Sequence, residues 1–86
     1  MQVTKTNKFD KNFRKRILGQ ASLEKKFQER VAMFIPDRKD PVLKDHKLSG
    51  DFRAFWITGD IRVIYILLPD NLALFIDIGS HNQVYK

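Results

Sequence analysis

Apolar residues recur at four-residue spacing in the first half of the chain, which is the spacing of one helix face. The two stripes are Phe9, Phe13 and Ile17, then Leu23, Phe27, Val31 and Phe34. They predict amphipathic helices over about residues 7–18 and about residues 21–35, and the first is basic on its other faces. Gly19 ends the first helix and Pro36 stops the second. Because the connection is so short, the helices are expected to pack as an antiparallel hairpin.

The second half of the chain changes to short apolar runs rich in β-branched and aromatic residues, which favour strands. The runs span residues 52–57, 61–68 and 72–79. Turn residues separate them at hairpin length, so a meander of three antiparallel strands is expected, with residues 61–68 in the centre. A weak alternation over residues 1–5 predicts a further short strand, and Thr6 or Asn7 can cap the helix after it.

The order of these elements predicts an α+β fold in one domain over residues 1–86, with the helices on one sheet face. The register of the first hairpin decides which side chains share a face. If Gly59-Asp60 is a two-residue turn, Arg62 lies opposite Ile57. Alternation then places Arg53, Phe55, Arg62, Ile64 and Ile66 on one face and Phe52, Ala54, Trp56, Val63, Tyr65 and Leu67 on the other. The face without arginines is expected to pack on the helices, which leaves the arginine face open and positive.

The net charge of the chain indicates which class of partner it binds. The formal net charge is +6, from 16 Lys and Arg against 10 Asp and Glu, and such a small basic domain is drawn to polyanions. The chain has no cysteine, which excludes disulfides and thiolate chemistry and fits a reducing cytoplasm. The first residues contain no apolar signal core, and no apolar run is long enough to span a membrane.

Arg62 is the most informative single residue, because a charge in an apolar central strand is costly unless it is paired or faces solvent. One interpretation is an internal salt bridge to Asp60 or Asp77. The other is a phosphate clamp, since a guanidinium presents a rigid fork of donors that matches phosphate oxygens.

Two histidines could carry acid–base chemistry, because histidine titrates near neutral pH. His81 follows the last strand, and Tyr85 lies four residues later, where it could stack on a base or pack on the sheet edge. His46 lies among Lys44, Asp45 and Lys47, which form either a basic rim or a solvated turn. Two histidines at this spacing do not make a metal site.

The segments LKDHKLSGDFRAFWITGDIRVIY and IGSHNQVY resemble the bacterial RelE/ParE toxin superfamily of toxin–antitoxin systems, and most closely its YafQ-type mRNA interferases. The resemblance covers nearly the whole chain. It implies a RelE-like fold and a cytoplasmic toxin that cleaves mRNA on the ribosome, needs no metal or other cofactor, and is blocked by a cognate antitoxin. The superfamily also hosts inhibitors of DNA gyrase, so fold alone does not decide the activity.

The resemblance also implies roles for individual residues. His81 corresponds to the catalytic histidine of the YafQ branch, Tyr85 to a residue that positions substrate, and Arg62 to the arginine of the central strand. His46 and Asp60 correspond to a histidine and an acidic residue of that branch, and either would remove the 2′-hydroxyl proton. Supporting contacts to the substrate are expected from Arg53, Lys47 and Lys44.

Two other functions remain open at this point. A gyrase-inhibiting toxin of the ParE type shares the fold and charge, although a pure binder has no need of paired acid–base groups. A non-catalytic basic RNA-binding domain would bind RNA with a steep salt dependence and cut nothing.

Overall fold

One layer of the molecule is a five-stranded sheet, and two helices form the other layer. The structure is a computed structural model that describes residues 1–85. The strands are β1 (Gln2–Lys5), β2 (His46–Lys47), β3 (Arg53–Trp56), β4 (Ile61–Leu68) and β5 (Leu72–Ser80). The helices are α1 (Asn7–Arg16), α2 (Ala21–Phe34) and the four-residue α3 (His81–Val84), with a 3₁₀ turn at Pro41–Leu43.

The strand order across the sheet is β1-β5-β4-β3-β2. Strands β3, β4 and β5 form the predicted antiparallel meander with β4 in the centre. β1 adds to the free edge of β5 in parallel orientation, and β2 adds to β3 in antiparallel orientation. The predicted α+β class and the short N-terminal strand are therefore confirmed, and the meander is the middle of a wider sheet.

Both predicted helices are present, and their apolar stripes pack on one face of the sheet as expected. The largest fully buried side chains are Tyr65, Phe9, Phe34, Phe55, Phe75, Ile17 and Leu43. Phe34 of α2 stacks on Phe55 of β3 at 4.5 Å between ring centroids and meets Tyr65 edge-on at 5.0 Å. Such ring pairs add stabilisation beyond the apolar area that they bury.

Two residues set the ends of α1. The Thr6 hydroxyl oxygen accepts a hydrogen bond from the Phe9 amide at 3.0 Å, so Thr6 is the cap, and the same hydroxyl donates to the Ile76 carbonyl at 3.1 Å. Gly19 follows the helix with a φ of +91°, a conformation that other residues rarely adopt. The start of α1 is thus tied directly to β5, beside the residues described below.

The predicted register of the β3–β4 hairpin is wrong by one residue. Trp56, and not Ile57, lies opposite Arg62, because Thr58, Gly59 and Asp60 together form the loop. The Thr58 hydroxyl accepts the amides of Asp60 at 3.2 Å and Ile61 at 3.0 Å, which holds Thr58 in the turn and out of the ladder.

The one-residue shift exchanges the faces of β3 relative to β4. Arg53 pairs with Tyr65 on the helix side of the sheet, whereas Arg62 lies on the opposite side. The expectations that the two arginines share a face, and that the face without arginines packs on the helices, are both wrong. Phe55 goes to the buried face with Tyr65, and Trp56 goes to the uncovered face with Arg62.

Candidate active site

The face of the sheet opposite the helix hairpin, which we call the outer face, carries two adjacent rows of side chains. The first row, across β5, β4 and β3, is Gly79, Arg62 and Trp56, and the second, which also reaches β2, is Asp77, Ile64, Ala54 and His46. Residues two apart on a strand lie roughly 7 Å from each other, so the rows are close neighbours. Ala54 and Ile64 are buried and form an apolar floor between the polar ends.

Arg62 lies between two aromatic rings in the first row. Its guanidinium carbon is 4.7 Å from the centroid of the Trp56 ring and 6.0 Å from that of the Tyr85 ring. The His81 ring then meets the Tyr85 ring edge-on, with centroids 4.4 Å apart. The structure therefore brings together three residues that the sequence singled out, Arg62, His81 and Tyr85, and adds Trp56.

The Arg62 guanidinium has no carboxylate partner in the part of the chain that the structure describes. Its Nη1 donates to the carbonyl oxygens of Gly59 at 3.1 Å and Asp60 at 3.2 Å, both in the preceding turn. The internal salt bridge to Asp60 or Asp77 considered above is thus absent from residues 1–85. Rings and carbonyls fix the direction of the guanidinium while leaving its full charge available to an anion.

Helix α3 (His81–Val84) positions the Tyr85 ring near this arginine and the His81 ring against Tyr85. It opens with a capping box, in which the Ser80 hydroxyl accepts the Gln83 amide at 3.4 Å and the Gln83 side chain accepts the Ser80 amide at 2.8 Å. The helix was not predicted, although the sequence Ser-x-x-Gln directly after a strand is the signal that announces it. The ring of His81 is exposed and Tyr85 is half-buried.

The Tyr85 hydroxyl is enclosed but has no hydrogen-bond partner within residues 1–85. Burial raises the pKa of this hydroxyl, and the neighbouring Arg62 opposes the rise. A buried polar group without a partner is uncommon in proteins, and the charged group that acts on this hydroxyl is Arg62.

His46 lies on the outer face, in the second row beside Ala54. Its Nδ1 is 2.8 Å from the Lys44 carbonyl oxygen. Because a carbonyl can only accept, Nδ1 carries the proton in this contact, and neutral His46 keeps an unprotonated Nε2. Lys44 has a left-handed backbone with φ of +54°, which is uncommon for a residue other than glycine.

The residue before His46, Asp45, fastens this edge of the sheet to the interior. Its carboxylate, 3% exposed, accepts Arg53 Nε at 3.0 Å and Arg53 Nη2 at 2.8 Å. The Tyr65 hydroxyl donates to its other oxygen, and Arg38 lies 3.8 Å away. Burial and the Asp45 hydrogen bond both raise the pKa of the Tyr65 hydroxyl. Burial lowers the pKa of Arg53, but its contacts with Asp45 outweigh that and raise it overall.

Four further residues from the sequence prediction contribute no side chain to the contacts around Arg62. Arg53 and Lys47 pair with each other on the helix side of the sheet. Asp60 lies in the exposed β3–β4 turn and lines a separate open groove of about 770 Å³ with Lys15, Arg16 and Gln83 among others. The side chain of Lys44 is exposed, and its carbonyl is the group that contacts His46.

Asp77, one of the two carboxylates that the sequence offers as a partner for Arg62, pairs instead with residues of α1. Its Oδ1 accepts the Asn12 amide at 2.7 Å and the Ile78 backbone amide at 2.8 Å, with Arg16 Nη1 at 3.4 Å. Lys8 lies 3.7 Å from Oδ2. Asp77 therefore joins the sheet to α1 at the rim of the outer face.

Residues 1–85 contain no group of three or more His, Cys, Asp or Glu side chains placed to hold a metal ion. None of the helices described is long and apolar enough to cross a membrane.

The family can now be assigned. A family model described as the bacterial toxin of type II toxin–antitoxin systems, YafQ, matches residues 1–86. The chain belongs to the YafQ toxin family. The predicted resemblance to RelE/ParE toxins, with YafQ as the nearest branch, is confirmed. A search of curated proteins gives no significant match.

Solved structures agree with this assignment at the level of the fold. The Escherichia coli DinJ–YafQ toxin–antitoxin complex matches with a TM-score of 0.75 at 23% identity, over 99% of this chain and 97% of that one. A metal-bound toxin from Helicobacter pylori matches with a TM-score of 0.75 at 26% identity, over 98% of each chain. A YoeB/ParE toxin from Agrobacterium tumefaciens matches with a TM-score of 0.78 at 15% identity, over 94% of this chain and 99% of that one.

Proposed function

We propose that this YafQ-family toxin is an endoribonuclease that cuts mRNA during translation in the cytoplasm. The observation that carries the proposal is the Arg62 guanidinium, held between Trp56 and Tyr85 without a carboxylate partner in residues 1–85, with His81 on the far side of the Tyr85 contact. A fixed, uncompensated cation suits a phosphate whose negative charge grows in the transition state. His81, which contacts the Tyr85 ring, can supply the proton that the leaving group needs.

The proposed reaction is an internal transfer. The ribose 2′-oxygen forms a bond to the adjacent phosphorus while the bond from phosphorus to the 5′-oxygen breaks, which leaves a 2′,3′-cyclic phosphate and a 5′-hydroxyl. The 2′-hydroxyl proton passes to a general base, and the leaving 5′-oxygen receives a proton from His81. The step consumes no water, redox equivalent or metal ion.

His46 is the general base that the geometry favours over Asp60. The contact of its Nδ1 with the Lys44 carbonyl leaves Nε2 as the acceptor, and the residue lies on the outer face with Arg62. The Asp60 amide donates to the Thr58 hydroxyl, its carbonyl accepts from Arg62, and the residue lines a groove with Lys15 and Arg16 of α1. Tyr85 and Trp56 have ring faces on which a nucleotide can stack.

Arg53 and Lys44 receive different roles in this proposal from the substrate contacts that the sequence predicted. Arg53 is occupied by Asp45 on the helix side of the sheet, so its contribution is to hold the strand that carries His46. Lys44 contributes its backbone carbonyl. Phosphates that flank the scissile bond remain within the general positive field of the chain.

A cognate antitoxin is the proposed inhibitor, as in the DinJ–YafQ complex. Covering Arg62 and His81, or competing for them with an acidic side chain, would block the phosphate site. A segment of the antitoxin that folds on this basic surface would suffice.

The experiment compares wild type with His81→Ala, each expressed from a tightly controlled promoter, with 5′ ends of a reporter mRNA mapped by primer extension. New cuts inside translated codons are expected for wild type and not for the variant, whose stability should match wild type because His81 is exposed. Purified ribosomes programmed with the same mRNA in Mg²⁺ buffer, with and without a chelator selective for transition metals, test whether cleavage is independent of such a metal. Growth arrest without cuts would instead favour gyrase inhibition, and cuts that persist with folded His81→Ala would remove His81 from the mechanism.

A further inference from the structure

A groove on the outer face continues from the candidate active site and has no role in the reaction described so far. Its volume is about 370 Å³, which lies at the small end of ligand pockets. Its lining includes Phe52, Ile64, Ile76, Val84, Tyr85 and Asp77. Tyr85 belongs to both places, because its ring also faces Arg62. A molecule in the groove would therefore be adjacent to a phosphate bound at Arg62.

The groove has the composition of a site for a flat aromatic ring. Its floor includes Ile64 and Ile76, and the ring of Phe52, which is 45% exposed, lies at one side. The Tyr85 side chain lines it as well. Unpaired RNA bases are bound in this way, between aromatic side chains and with their edges on polar groups.

Asp77 supplies the polar group that can read a base edge. The residue is 6% exposed, and its three hydrogen bonds all converge on Oδ1. Oδ2 accepts no hydrogen bond from residues 1–85 and has only the 65%-exposed Lys8 side chain, 3.7 Å away, as a charge partner. A buried carboxylate oxygen with spare acceptor capacity at the edge of an apolar groove favours a ligand with N–H donors.

We propose that this groove is a nucleobase pocket in which Asp77 Oδ2 accepts N–H groups from the base next to the scissile phosphate, and that it selects guanine. Guanine carries an imino N–H and an amino group side by side on its Watson–Crick edge, more donors than any other RNA base. Its neighbouring carbonyl oxygen can accept from Lys8. Uracil offers one N–H between two carbonyl oxygens, which a carboxylate repels.

The spacing of the rows agrees with this placement. Ile64 lies two residues beyond Arg62 on β4, roughly 7 Å along the strand, and Asp77 is opposite Ile64 on β5. A nucleotide whose phosphate meets Arg62 can therefore lay its base on Ile64 and reach Asp77. The charge of Asp77 is offset by Arg16 and Lys8, so it does not exclude RNA from this face. The proposal rests on the endoribonuclease function as the source of the RNA.

The test measures binding, so that it does not depend on cleavage. Guanosine, adenosine, cytidine and uridine 5′-monophosphates are titrated in turn into the purified toxin, and methyl resonances of Ile64, Ile76 and Val84 are followed by NMR. Guanosine monophosphate is expected to shift these methyls and to bind at least about fivefold more tightly than uridine monophosphate. Shifts elsewhere, or equal affinities for the four nucleotides, would overturn the proposal.

Asp77→Asn adds a matched perturbation. Asn12 donates to Oδ1, so the amide oxygen is expected at Oδ1 and the amide nitrogen at the groove, where a donor replaces the acceptor. The preference for guanine should disappear in Asp77→Asn. The control Asp70→Asn, in the exposed β4–β5 turn, should bind guanosine monophosphate as wild type does. Should Asp77→Asn fail to fold, the wild-type titration still decides the matter.

Cut-site mapping separates this proposal from the proposed function. If the toxin binds guanosine monophosphate in the groove but cuts no RNA, the nucleobase-pocket proposal is supported and the endoribonuclease proposal is overturned. If the toxin cuts RNA but guanosine monophosphate shifts no groove methyl, the endoribonuclease proposal is supported and the nucleobase-pocket proposal is overturned. If both hold, guanine should be enriched next to the mapped cuts of wild type and not of Asp77→Asn.

Discussion

The hydroxyl of Tyr65 connects the hydrophobic core to the edge of the candidate site, and its removal tests that connection. Tyr65 is fully buried among Phe34, Phe55 and Phe75, and its hydroxyl donates to the buried carboxylate of Asp45. Tyr65→Phe keeps the ring and deletes only that donor. A hydrogen bond to a charged group contributes about 1.5–3 kcal/mol, so we expect the free energy of unfolding to fall by about that amount at neutral pH.

The matched control is Tyr85→Phe, which also deletes one enclosed phenol hydroxyl. That hydroxyl makes no hydrogen bond within residues 1–85, so its removal should change the free energy of unfolding by less than about 0.5 kcal/mol. Both variants can be measured by urea unfolding followed by far-ultraviolet circular dichroism. Equal effects in the two variants would show that the bond to Asp45 does not stabilise the fold.

The interaction between Tyr65 and Asp45 also predicts how the free energy of unfolding depends on alkaline pH. Burial, together with the Asp45 bond, raises the pKa of folded Tyr65 above the ordinary value of 10.0. Above that pH the unfolded chain loses a proton that the folded chain keeps, so the contribution is complete below about pH 10 and declines above it. The advantage of wild type over Tyr65→Phe should therefore narrow by up to about 1.4 kcal/mol per pH unit. A difference that stays constant to about pH 11 would refute this reasoning.

Two further substitutions separate the support of the site from its chemistry. Gly79→Ala would place a Cβ 2.7 Å from both Arg16 Nη1 and Gln83 Oε1, which are engaged in the bonds that fix β5 and α3. We expect a loss of about 1–3 kcal/mol in unfolding free energy and at least about tenfold in cleavage rate, measured by urea unfolding and by cut-site yield. Arg62→Lys keeps the charge but loses the planar fork that stacks on Trp56, so cleavage should fall at least about tenfold while stability changes by less than about 1 kcal/mol. A fully active Arg62→Lys toxin would show that point charge alone is sufficient.

The elements of the fold could be predicted because their signals are local. The helices predicted from the four-residue spacing of apolar residues, and the strands predicted from the β-branched runs, are present with ends displaced by at most two residues. The register of the β3–β4 hairpin could not be predicted from alternation alone. It depends on the Thr58 hydroxyl, which takes two turn amides and lengthens the loop by one residue.

The one-residue error in the β3–β4 register also determined which parts of the site could be predicted. Arg62 was identified because a charge in an apolar strand is conspicuous in any register. Trp56 was missed because the wrong register assigned it to the covered face, and Arg53 was placed beside Arg62 for the same reason. The partner of Arg53, Asp45, comes from eight residues earlier in the chain, and only the three-dimensional structure identifies the carboxylate that this half-buried arginine meets.

The distribution of charge over the sheet explains why these substitutions should separate so cleanly. Asp45 and Asp77 are enclosed carboxylates at opposite rims of the sheet. Arg53 neutralises the first and Arg16 the second, and both cations approach from the helix side. Within residues 1–85 Arg62 has no such partner. Substitutions at the two aspartates must therefore act on stability as well as on function, because they leave a cation unpaired. Substitutions at Arg62 remove a charge that folding does not need, so their effect should fall almost entirely on the phosphate that it is proposed to bind.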